Sequence, residues 1–465
     1  MNQKKKLLQN TFIIALGRCS TQILSFLLLP LYTSLLSTSE YGNYDLLNTT
    51  SIFIIPFVTL LMEESMFRFL IDAKTNEEKS KVISQSILFT FFNIIFSSII
   101  ILIIGTIFKY DYTIYLIFFI IASILSTLAA SIARGEGKFK IYSVFSFASG
   151  FLTILFNILF IVVFGMKEEG LFIAYILGNT LVSLWLMYKL KVNKYVSFKN
   201  YDKKQMKEMI KYSIPLVPNS LSWITINLSD RLIIVSVLGT AANGIYSIAT
   251  KFPSIINTFY SFFYIAWKES ASKVVKDENR NEFYNDIYIN LKNFLIAVSL
   301  MIMAALPFVF DLLVNKDYRS GYLYIPILIV AIFYSNLSSF CGGIFAAYKE
   351  TKIMGTSTFY SAIINLVANL LLVHFIGLWA AAISTLLSSY LVYIYRKIKM
   401  KKFLTLDKDN YVFYNIIMFI FITLVYYSNN ILVYLFGFII CMIYSILINS
   451  EMINVILKKL KLKKA

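Results

Sequence analysis

Long apolar runs separated by short polar loops dominate this sequence of 465 residues. A helix needs about 20 consecutive apolar residues to cross the hydrocarbon core of a bilayer. Runs of about this length recur from end to end, and no stretch between them has the composition of a soluble domain. Only 15% of the residues are charged, whereas a soluble globular protein is roughly 25% charged. The sequence therefore predicts an all-α integral membrane protein.

About fourteen transmembrane helices are predicted. Their approximate ranges are 11–36, 43–66, 83–107, 112–133, 141–164, 170–188, 212–238, 244–267, 287–314, 322–347, 354–375, 378–395, 411–428 and 430–450. The last two ranges meet at Asn429. If one or both of the last two ranges do not cross the membrane, the count is thirteen or twelve.

The distribution of Lys and Arg predicts the orientation of the chain. Cytoplasmic loops of membrane proteins collect these residues. With the amino terminus placed in the cytoplasm, the inner segments hold about 35 of the 43 Lys and Arg residues, and the outer loops hold about four. Both termini are therefore predicted to be cytoplasmic. The net charge of +18 follows from this topology and favours contact with anionic membrane lipids, while nucleic-acid binding would require no such alternation and is not expected.

Few residues in the sequence could hold a metal or a nucleotide. Cys19, Cys341 and Cys441 lie in separate spans without a CxxC pair, so neither a disulfide framework nor a metal site is predicted. His374 is the single histidine and cannot form a metal cluster alone. No Walker A loop is present, which argues against ATP as the direct energy source. The sequence predicts no cofactor, and a proton or Na⁺ is the candidate coupling ion.

The chain also matches itself at three places in the same order. The matches are G-x-Y at 42–44 and 244–246, E-E-S at 63–65 and K-E-S at 268–270, and N-x7-G at 157–165 and 369–377. The offsets are nearly equal, and six spans separate the copies. Because six is an even number, both copies have the same orientation in the membrane. The predicted organisation is an N-terminal six-helix lobe (1–190), a basic cytoplasmic linker (191–211), a C-terminal six-helix lobe (212–400), and an extra helix pair with a basic cytoplasmic tail (401–465).

Two stretches carry motifs of a known superfamily. The first contains a Pro-x-x-Pro entry, an Asp-Arg pair and G-x-x-x-x-G-x-Y, through Pro215, Pro218, Asp230, Arg231, Gly239, Gly244 and Tyr246. The second contains N-x-x-x-N and a small-residue segment, through Asn365, Asn369, Gly377, Ala380, Ala381, Ser384 and Thr385, although its second glycine is absent. These stretches resemble Wzx-type flippases of O-antigen or capsule repeat units, within the multidrug/oligosaccharidyl-lipid/polysaccharide exporter superfamily.

The resemblance implies a transporter and not an enzyme. A Wzx-type flippase translocates polyprenyl-diphosphate-linked oligosaccharide repeat units across the bacterial cytoplasmic membrane by alternating access, for cell-surface polysaccharide assembly. The lipid-linked oligosaccharide and membrane lipids are the implied partners, and a polysaccharide polymerase is a further candidate. The fold implied is two six-helix lobes around a central cavity.

Charged residues inside the predicted spans are the candidate site residues, because a charge in hydrocarbon is costly unless it is paired or lines a watery cavity. Arg18 and Lys251 lie in the first and eighth spans, which face the cavity in this superfamily, where cationic residues of lipid flippases hold a diphosphate. Arg grips phosphate oxygens with a planar fork, and Lys acts as a point charge. Arg231 is the third candidate for substrate binding.

Three acids are candidates for ion coupling or for ion pairs: Glu64, Asp230 and Asp45. Depth in the membrane predicts that Arg18 lies level with Glu64 and that Asp230 lies level with Lys251. Adjacent residues on a helix point about 100° apart, so Asp230 and Arg231 face different neighbours, one a lobe contact and the other a cavity. The alternative is that all these charges form structural ion pairs.

Other functions remain open from the sequence. A lipid II or teichoic-precursor flippase would carry a cargo of nearly the same chemistry. A cation-coupled multidrug exporter of the same superfamily would favour acidic residues in its cavity, whereas the first and eighth spans carry cations. A membrane glycan polymerase would be polytopic and basic too, but every predicted outer loop is only a handful of residues long, too short to hold donor and acceptor.

Overall fold

A computed structural model of the chain describes residues 26, 28–197, 201–275, 277–348, 350–404 and 411–454. Within these ranges the chain is helical, without β-strands. The helices are α1 (Leu29–Leu35), α2 (Thr38–Thr59), α3 (Met62–Asp72), α4 (Asn76–Ile107), α5 (Thr113–Gly135), α6 (Phe139–Asn157), α7 (Glu168–Lys189), α8 (Lys203–Ser213), α9 (Leu216–Leu238), α10 (Thr240–Val274), α11 (Arg280–Leu313), α12 (Ile325–Ala347), α13 (Thr351–Ile376), α14 (Trp379–Met400), α15 (Val412–Tyr426) and α16 (Ile431–Ile448). A π-helical segment (Ile158–Val163) continues α6, and 3₁₀ helices cover Val192–Lys194 and Lys316–Tyr324.

The predicted fold class, an all-α multi-pass membrane protein, is confirmed. Every predicted span from 43–66 onward coincides with a helix or a helix pair, while most of the first predicted span, 11–36, lies outside the described residues. In the described part of the chain, eight helices are long and apolar enough to cross a membrane, or nine with one bent pair counted as a span. The count of fourteen is larger, partly because α15 has only 15 residues.

The bent pair is α2 and α3, which meet at an angle of 55°. Leu60 and Leu61 between them have left-handed backbones, with φ of 49° and 54°, a conformation that costs roughly 1–2 kcal/mol for a residue with a side chain. Backbone groups freed inside a membrane need new partners. Here the Leu61 amide donates to Thr59 Oγ1 at 3.1 Å, and the Val58 carbonyl accepts from Asn93 Nδ2 at 3.0 Å. The second predicted span is therefore a broken helix and not a continuous one.

The chain forms two compact units, unit 1 (Met1–Gly244) and unit 2 (Ile245–Ala465). In unit 1, the predicted linker range packs onto the helix ends: Ser65 Oγ donates to the Met209 carbonyl at 3.0 Å, and Gln85 Nε2 donates to Gln205 Oε1 at 2.9 Å. Met209 is fully buried. The predicted division into lobes at 190 and 212 stays a prediction.

In unit 2, small residues allow the helices to pack closely. Ala380, Ala381 and Ala382 at the start of α14 are fully buried, as expected where membrane helices approach through small side chains. The extra helix pair docks on α11 through amides: Asn293 Nδ2 donates to the Ile448 carbonyl at 3.0 Å, and Asn449 Nδ2 donates to the Asn293 carbonyl at 3.3 Å.

Equivalent positions of the predicted repeat share their local structure. Asn157 and Asn369, the first residues of the N-x7-G match, are both buried. Gly165 and Gly377, its last residues, both have positive φ, at 64° and 58°, which suits glycine after a helix end. The predicted repeat thus pairs positions that have the same burial and backbone conformation.

Candidate functional site

A buried ion pair joins α2 to α9. Arg231 Nε lies 3.2 Å from Asp45 Oδ2, and the two side chains are 10% and 11% exposed. Arg231 Nη1 also donates to the Asn227 carbonyl at 3.4 Å. Asn243 Nδ2 adds a contact to the same Asp45 oxygen at 3.5 Å. Since a buried charge is tolerated when it is paired and hydrogen-bonded, Asp45 and Arg231 satisfy each other in this structure.

Next to the ion pair, α2 and the start of α10 cross at two glycines. A Cβ atom on Gly42 would collide with the Thr240 carbonyl oxygen, and a Cβ atom on Gly244 would collide with the Thr38 carbonyl oxygen. Asn243 Nδ2 donates to the Gly42 carbonyl at 2.9 Å. The backbones therefore touch directly, which only glycine allows.

The crossing is reciprocal under the predicted repeat. Thr38 and Gly42 correspond to Thr240 and Gly244, both with an offset of 202 residues. Gly42 meets Thr240, and Gly244 meets Thr38. A twofold axis generates contacts of this kind. When a residue of the first copy contacts a residue of the second, the equivalent pair of residues makes the same contact. Under the predicted repeat, the crossing therefore joins equivalent residues of the two copies.

The same end of α2 carries two further polar contacts with α5 and α7. Tyr112 OH donates to Glu168 Oε1 at 2.6 Å, and Asn43 Nδ2 donates to the same oxygen at 3.1 Å. Lys167 Nζ lies 2.9 Å from Glu40 Oε1, and this hydrogen bond to the carboxylate raises the pKa of Lys167. The first turns of α2 are thus tied by polar groups to residues at the starts of α5 and α7.

The remaining predicted site residues have different surroundings. Arg18 lies outside the described residues, and so does its predicted pairing with Glu64. Glu64 is exposed, whereas the adjacent Glu63 is buried. Asp230 is buried in unit 1 and Lys251 is half-buried in unit 2, and their pairing stays a prediction. The structure therefore brings together two of the predicted residues, Asp45 and Arg231.

Sequence reasoning missed several polar residues of this region. Asn243 and Tyr112 are uncharged and do not stand out in an apolar run, although Asn243 directly precedes the motif residue Gly244. Glu168 falls between the predicted spans 141–164 and 170–188, and this position in the sequence does not indicate that it reaches α2. Among the described residues, no group of three or more His, Cys, Asp or Glu side chains could hold a metal ion.

One basic residue assigned to a cytoplasmic loop is instead buried. The predicted span ends at 395, just before Arg396, but α14 continues to Met400 and Arg396 is only 1% exposed. Its guanidinium donates to Ser357 Oγ and Thr358 Oγ1, both at 2.8 Å, and to the Ser338 carbonyl at 3.0 Å. These oxygens solvate the charge inside the helix bundle. Hydropathy does not show such contacts, so it ends the predicted span before Arg396.

Comparison with known proteins identifies the fold and the family. An inward-facing multidrug resistance MATE family transporter of the MOP superfamily superposes with a TM-score of 0.70 at 14% identity, over 84% of this chain and 98% of that one. The lipid II flippase MurJ in an inward closed conformation superposes with a TM-score of 0.66 at 16% identity, over 96% of this chain and all of that one. An uncharacterized membrane protein of Methanocaldococcus jannaschii is 21% identical over 306 residues, which cover 61% of this chain and 70% of that protein.

At these identities the superpositions establish the fold, which is the one that the sequence motifs predict. Residues 7–267, more than half of the chain, match the family described as polysaccharide biosynthesis protein. The region that matches contains α2, the ion pair and the glycine crossing. This chain is therefore a member of the polysaccharide biosynthesis protein family, with the fold of the MOP superfamily.

Proposed function

We propose that the protein is a flippase that moves polyprenyl-diphosphate-linked oligosaccharide repeat units across the bacterial cytoplasmic membrane by alternating access. The family supports a role in polysaccharide biosynthesis, and the fold is that of transporters and of a lipid II flippase. A flippase lets the diphosphate and sugars cross in a polar cavity while the polyprenyl tail stays in lipid. This route avoids the cost of several kcal/mol for each polar group left unpaired in hydrocarbon.

The observation that carries the proposal is the reciprocal crossing of Gly42 and Gly244 beside the Asp45–Arg231 pair. Residues 42 and 45 belong to the predicted N-terminal lobe, and residues 231 and 244 belong to the predicted C-terminal lobe. A contact made of bare backbone and one ion pair can separate without pulling large side chains out of a packed core. Such a contact suits a gate that closes one side of a central cavity and opens in the other half of the cycle.

In this proposal the cargo is anionic and meets cationic residues. Arg18 and Lys251 hold the diphosphate, and Arg231 becomes a third cation for it when the gate opens and Asp45 moves away. The carboxyl of Asp45 is then free to take up a proton or Na⁺, with Asp230 and Glu64 as the other candidate acids. A ligand that binds one state more tightly than the other shifts the equilibrium between them, so cargo and ion together drive the opening.

Transport in proteoliposomes tests the proposal. The substrate is a fluorescent polyprenyl-diphosphate oligosaccharide, and the readout is the fraction that becomes accessible on the opposite leaflet. We expect the parent protein to translocate it, and both Arg18→Ala and Lys251→Ala to lose at least about 10-fold in rate, which corresponds to about 1.4 kcal/mol of binding or barrier. Lys140→Ala, which removes an exposed cation from the first turn of α6, is the matched control and is expected to keep the parent rate.

Three results would contradict the proposal in whole or in part. If the parent moves no such lipid but exports an organic cation, the protein is a multidrug exporter of the same fold. If the parent moves lipid II or a teichoic precursor and no oligosaccharide-linked lipid, the fold and mechanism stand and the cargo is wrong. Equal rates for the parent and both cation variants would remove Arg18 and Lys251 from the site.

A further inference from the structure

A cavity of about 750 Å³ lies in unit 2 at one end of the helices. It is bounded by the carboxyl end of α11, the 3₁₀ segment Lys316–Tyr324, and the connection from α15 to α16. Its volume is in the range of sites that bind small organic ligands, roughly 300–1,000 Å³. The residues that give the lining its chemistry are Asp311, Arg319, Tyr322, Tyr427, Asn429 and Tyr434.

Aromatic rings form much of the wall and are held in place by their own contacts. The Tyr322 ring stacks on Tyr426 with centroids 4.0 Å apart and an angle of 11°, and each of these two hydroxyls donates to the backbone carbonyl of the other residue, at 3.1 and 2.8 Å. Tyr427 OH donates to the Leu323 carbonyl at 2.6 Å. These bonds tie the connection between α15 and α16 to the 3₁₀ segment, so the rings are fixed before any ligand arrives.

The rim carries polar groups with hydrogen-bonding capacity to spare. Arg319 Nη2 lies 3.2 Å from Asp311 Oδ2, and both side chains are 64% exposed. A guanidinium has five N–H donors and a carboxylate about four lone-pair sites, so this single contact leaves most of them directed to solvent. The exposed Asn429, in a left-handed backbone conformation with φ of 52°, adds an amide that can both donate and accept.

Rigid aromatic rings beside a carboxylate, a guanidinium and an amide suit a saccharide. The C–H face of a sugar ring packs on an electron-rich aromatic face, and its adjacent hydroxyls pair with planar groups that offer two donors or two acceptors. An apolar ligand would form no hydrogen bonds with the charged groups at the rim. A simple anion would make no use of the aromatic faces of the tyrosines. An interfacial aromatic belt would place the rings against lipid, whereas these line a void.

We propose that this cavity is a saccharide-binding site that receives the sugar portion of the repeat unit on the outer side of the membrane. The outer location follows from the predicted topology, and the assignment to the repeat unit rests on the proposed function. The site belongs partly to the extra helix pair, α15 and α16, and gives that pair a role in retaining the glycan after it has crossed.

Binding of free glycan tests this site without requiring transport. The probes are the oligosaccharide released by mild acid from the polyprenyl lipid of the host cell and the finished polymer from the same cell, each titrated into the full-length protein in detergent by calorimetry. We expect Asp311→Asn and Tyr434→Leu to weaken binding by about 3- to 10-fold each, the range for loss of one aromatic or polar contact. Both residues lie away from the bonds that hold Tyr322, Tyr426 and Tyr427.

Tyr414→Leu is the matched control, because Tyr414 is an exposed tyrosine on α15 that does not line the cavity. Unchanged affinity in Tyr414→Leu together with weaker binding in the two cavity variants supports the site. Tighter binding of the released repeat unit than of the polymer supports the assignment to newly flipped cargo, and tighter binding of the polymer overturns that assignment. Equal affinity of the parent and both cavity variants, or no binding of either glycan by a parent that flips the lipid, overturns it while leaving the flippase intact. Glycan binding by a parent that moves no lipid would instead contradict the proposed function alone.

Discussion

Asp45 and Arg231 illustrate how a membrane protein tolerates charge at a helix contact. Both side chains are about one-tenth exposed, and each provides the other's counter-charge. Removing one partner of a buried pair usually costs about 3–5 kcal/mol, because the other charge stays buried, whereas removing both costs much less. We therefore expect Asp45→Asn and Arg231→Gln each to lower the free energy of unfolding by about 3–5 kcal/mol, and the double variant to recover a good part of that loss.

A double-mutant cycle in detergent measures this coupling through the unfolding free energies of the parent, the two single variants and the double variant. The control is Arg68→Gln, because Arg68 pairs with Asp72 at 2.8 Å while both side chains remain 47% and 66% exposed. An exposed pair in solvent contributes little to stability, so this substitution should leave the unfolding free energy nearly unchanged. Additive effects of the two buried substitutions, without coupling, would show that the pair does not stabilise the contact.

A second prediction at the scale of single residues concerns Arg396. Four oxygens surround its guanidinium, and three lie within 3.0 Å. Lysine keeps the charge but offers a compact ammonium that cannot reach separated oxygens in one plane. We expect Arg396→Lys to lower the thermal midpoint by an amount equivalent to about 1–3 kcal/mol, the cost of leaving buried oxygens unsatisfied. Lys399→Arg, the reverse exchange at an exposed position of the same helix, should leave the midpoint unchanged, and an equal midpoint for Arg396→Lys would contradict the solvation role.

The sequence predicts the charged residues of the site better than their partners. Asp45 and Arg231 stand out because each is a charged residue inside a predicted span, and the sequence alone identifies them. Their pairing depends on the rotation of α2 and α9 about their axes, which depth in the membrane does not determine. Asn243 contacts the same carboxylate but carries no charge, so no composition signal marks it.

At the scale of elements, the approach of α2 to α10 depends on the lack of a side chain at one position in each helix. A methyl group on Gly42 would collide with the Thr240 carbonyl, and backbone cannot move aside as a flexible side chain can. We expect Gly42→Ala to separate the two helix ends, to cost about 1–3 kcal/mol as overpacking usually does, and to lower the rate of lipid translocation in proteoliposomes.

Gly355→Ala is the matched control for this substitution. Gly355 lies within α13, and nothing lies within 4 Å of the position that its Cβ would occupy. Alanine in a helix interior is favoured over glycine by about 1 kcal/mol, so this variant should be at least as stable as the parent and transport at the parent rate. A Gly42→Ala protein with parental stability and rate would mean that the crossing need not be tight.

The apolar runs predict the helices themselves. The helix bounds differ from the predicted ranges mostly where a helix continues into a polar segment. The extension of α14 past residue 395 is an example, because Arg396 is solvated by neighbouring helices and not by water. The break at Leu60 and Leu61 could not be predicted from those residues, since leucine favours helices. Pro56 inside α2 was the available signal, because it removes a backbone hydrogen bond.

At the scale of the whole molecule, the predicted internal repeat pairs positions that share sequence and backbone conformation. The offset of 202 residues that relates Gly42 to Gly244 also relates Thr38 to Thr240, and these four residues form the reciprocal crossing. The family and the fold follow from motifs of this kind, because they fix helix contacts. The cargo does not follow from them, because few side chains touch it and the fold serves both drug transporters and a lipid flippase.

The orientation of the molecule in the membrane determines which side of the membrane each site faces. The last prediction tests this orientation. The predicted topology places the exposed Ser320 outside and the exposed Lys140 in the cytoplasm. In a background in which Cys19, Cys341 and Cys441 are replaced by alanine, we expect a membrane-impermeant maleimide to label Ser320→Cys in intact cells. Lys140→Cys should be labelled only after the cells are permeabilised. The reverse pattern would invert the topology, and the saccharide site beside Ser320 would then face the cytoplasm, where it would select cargo before transport and could not retain glycan afterwards.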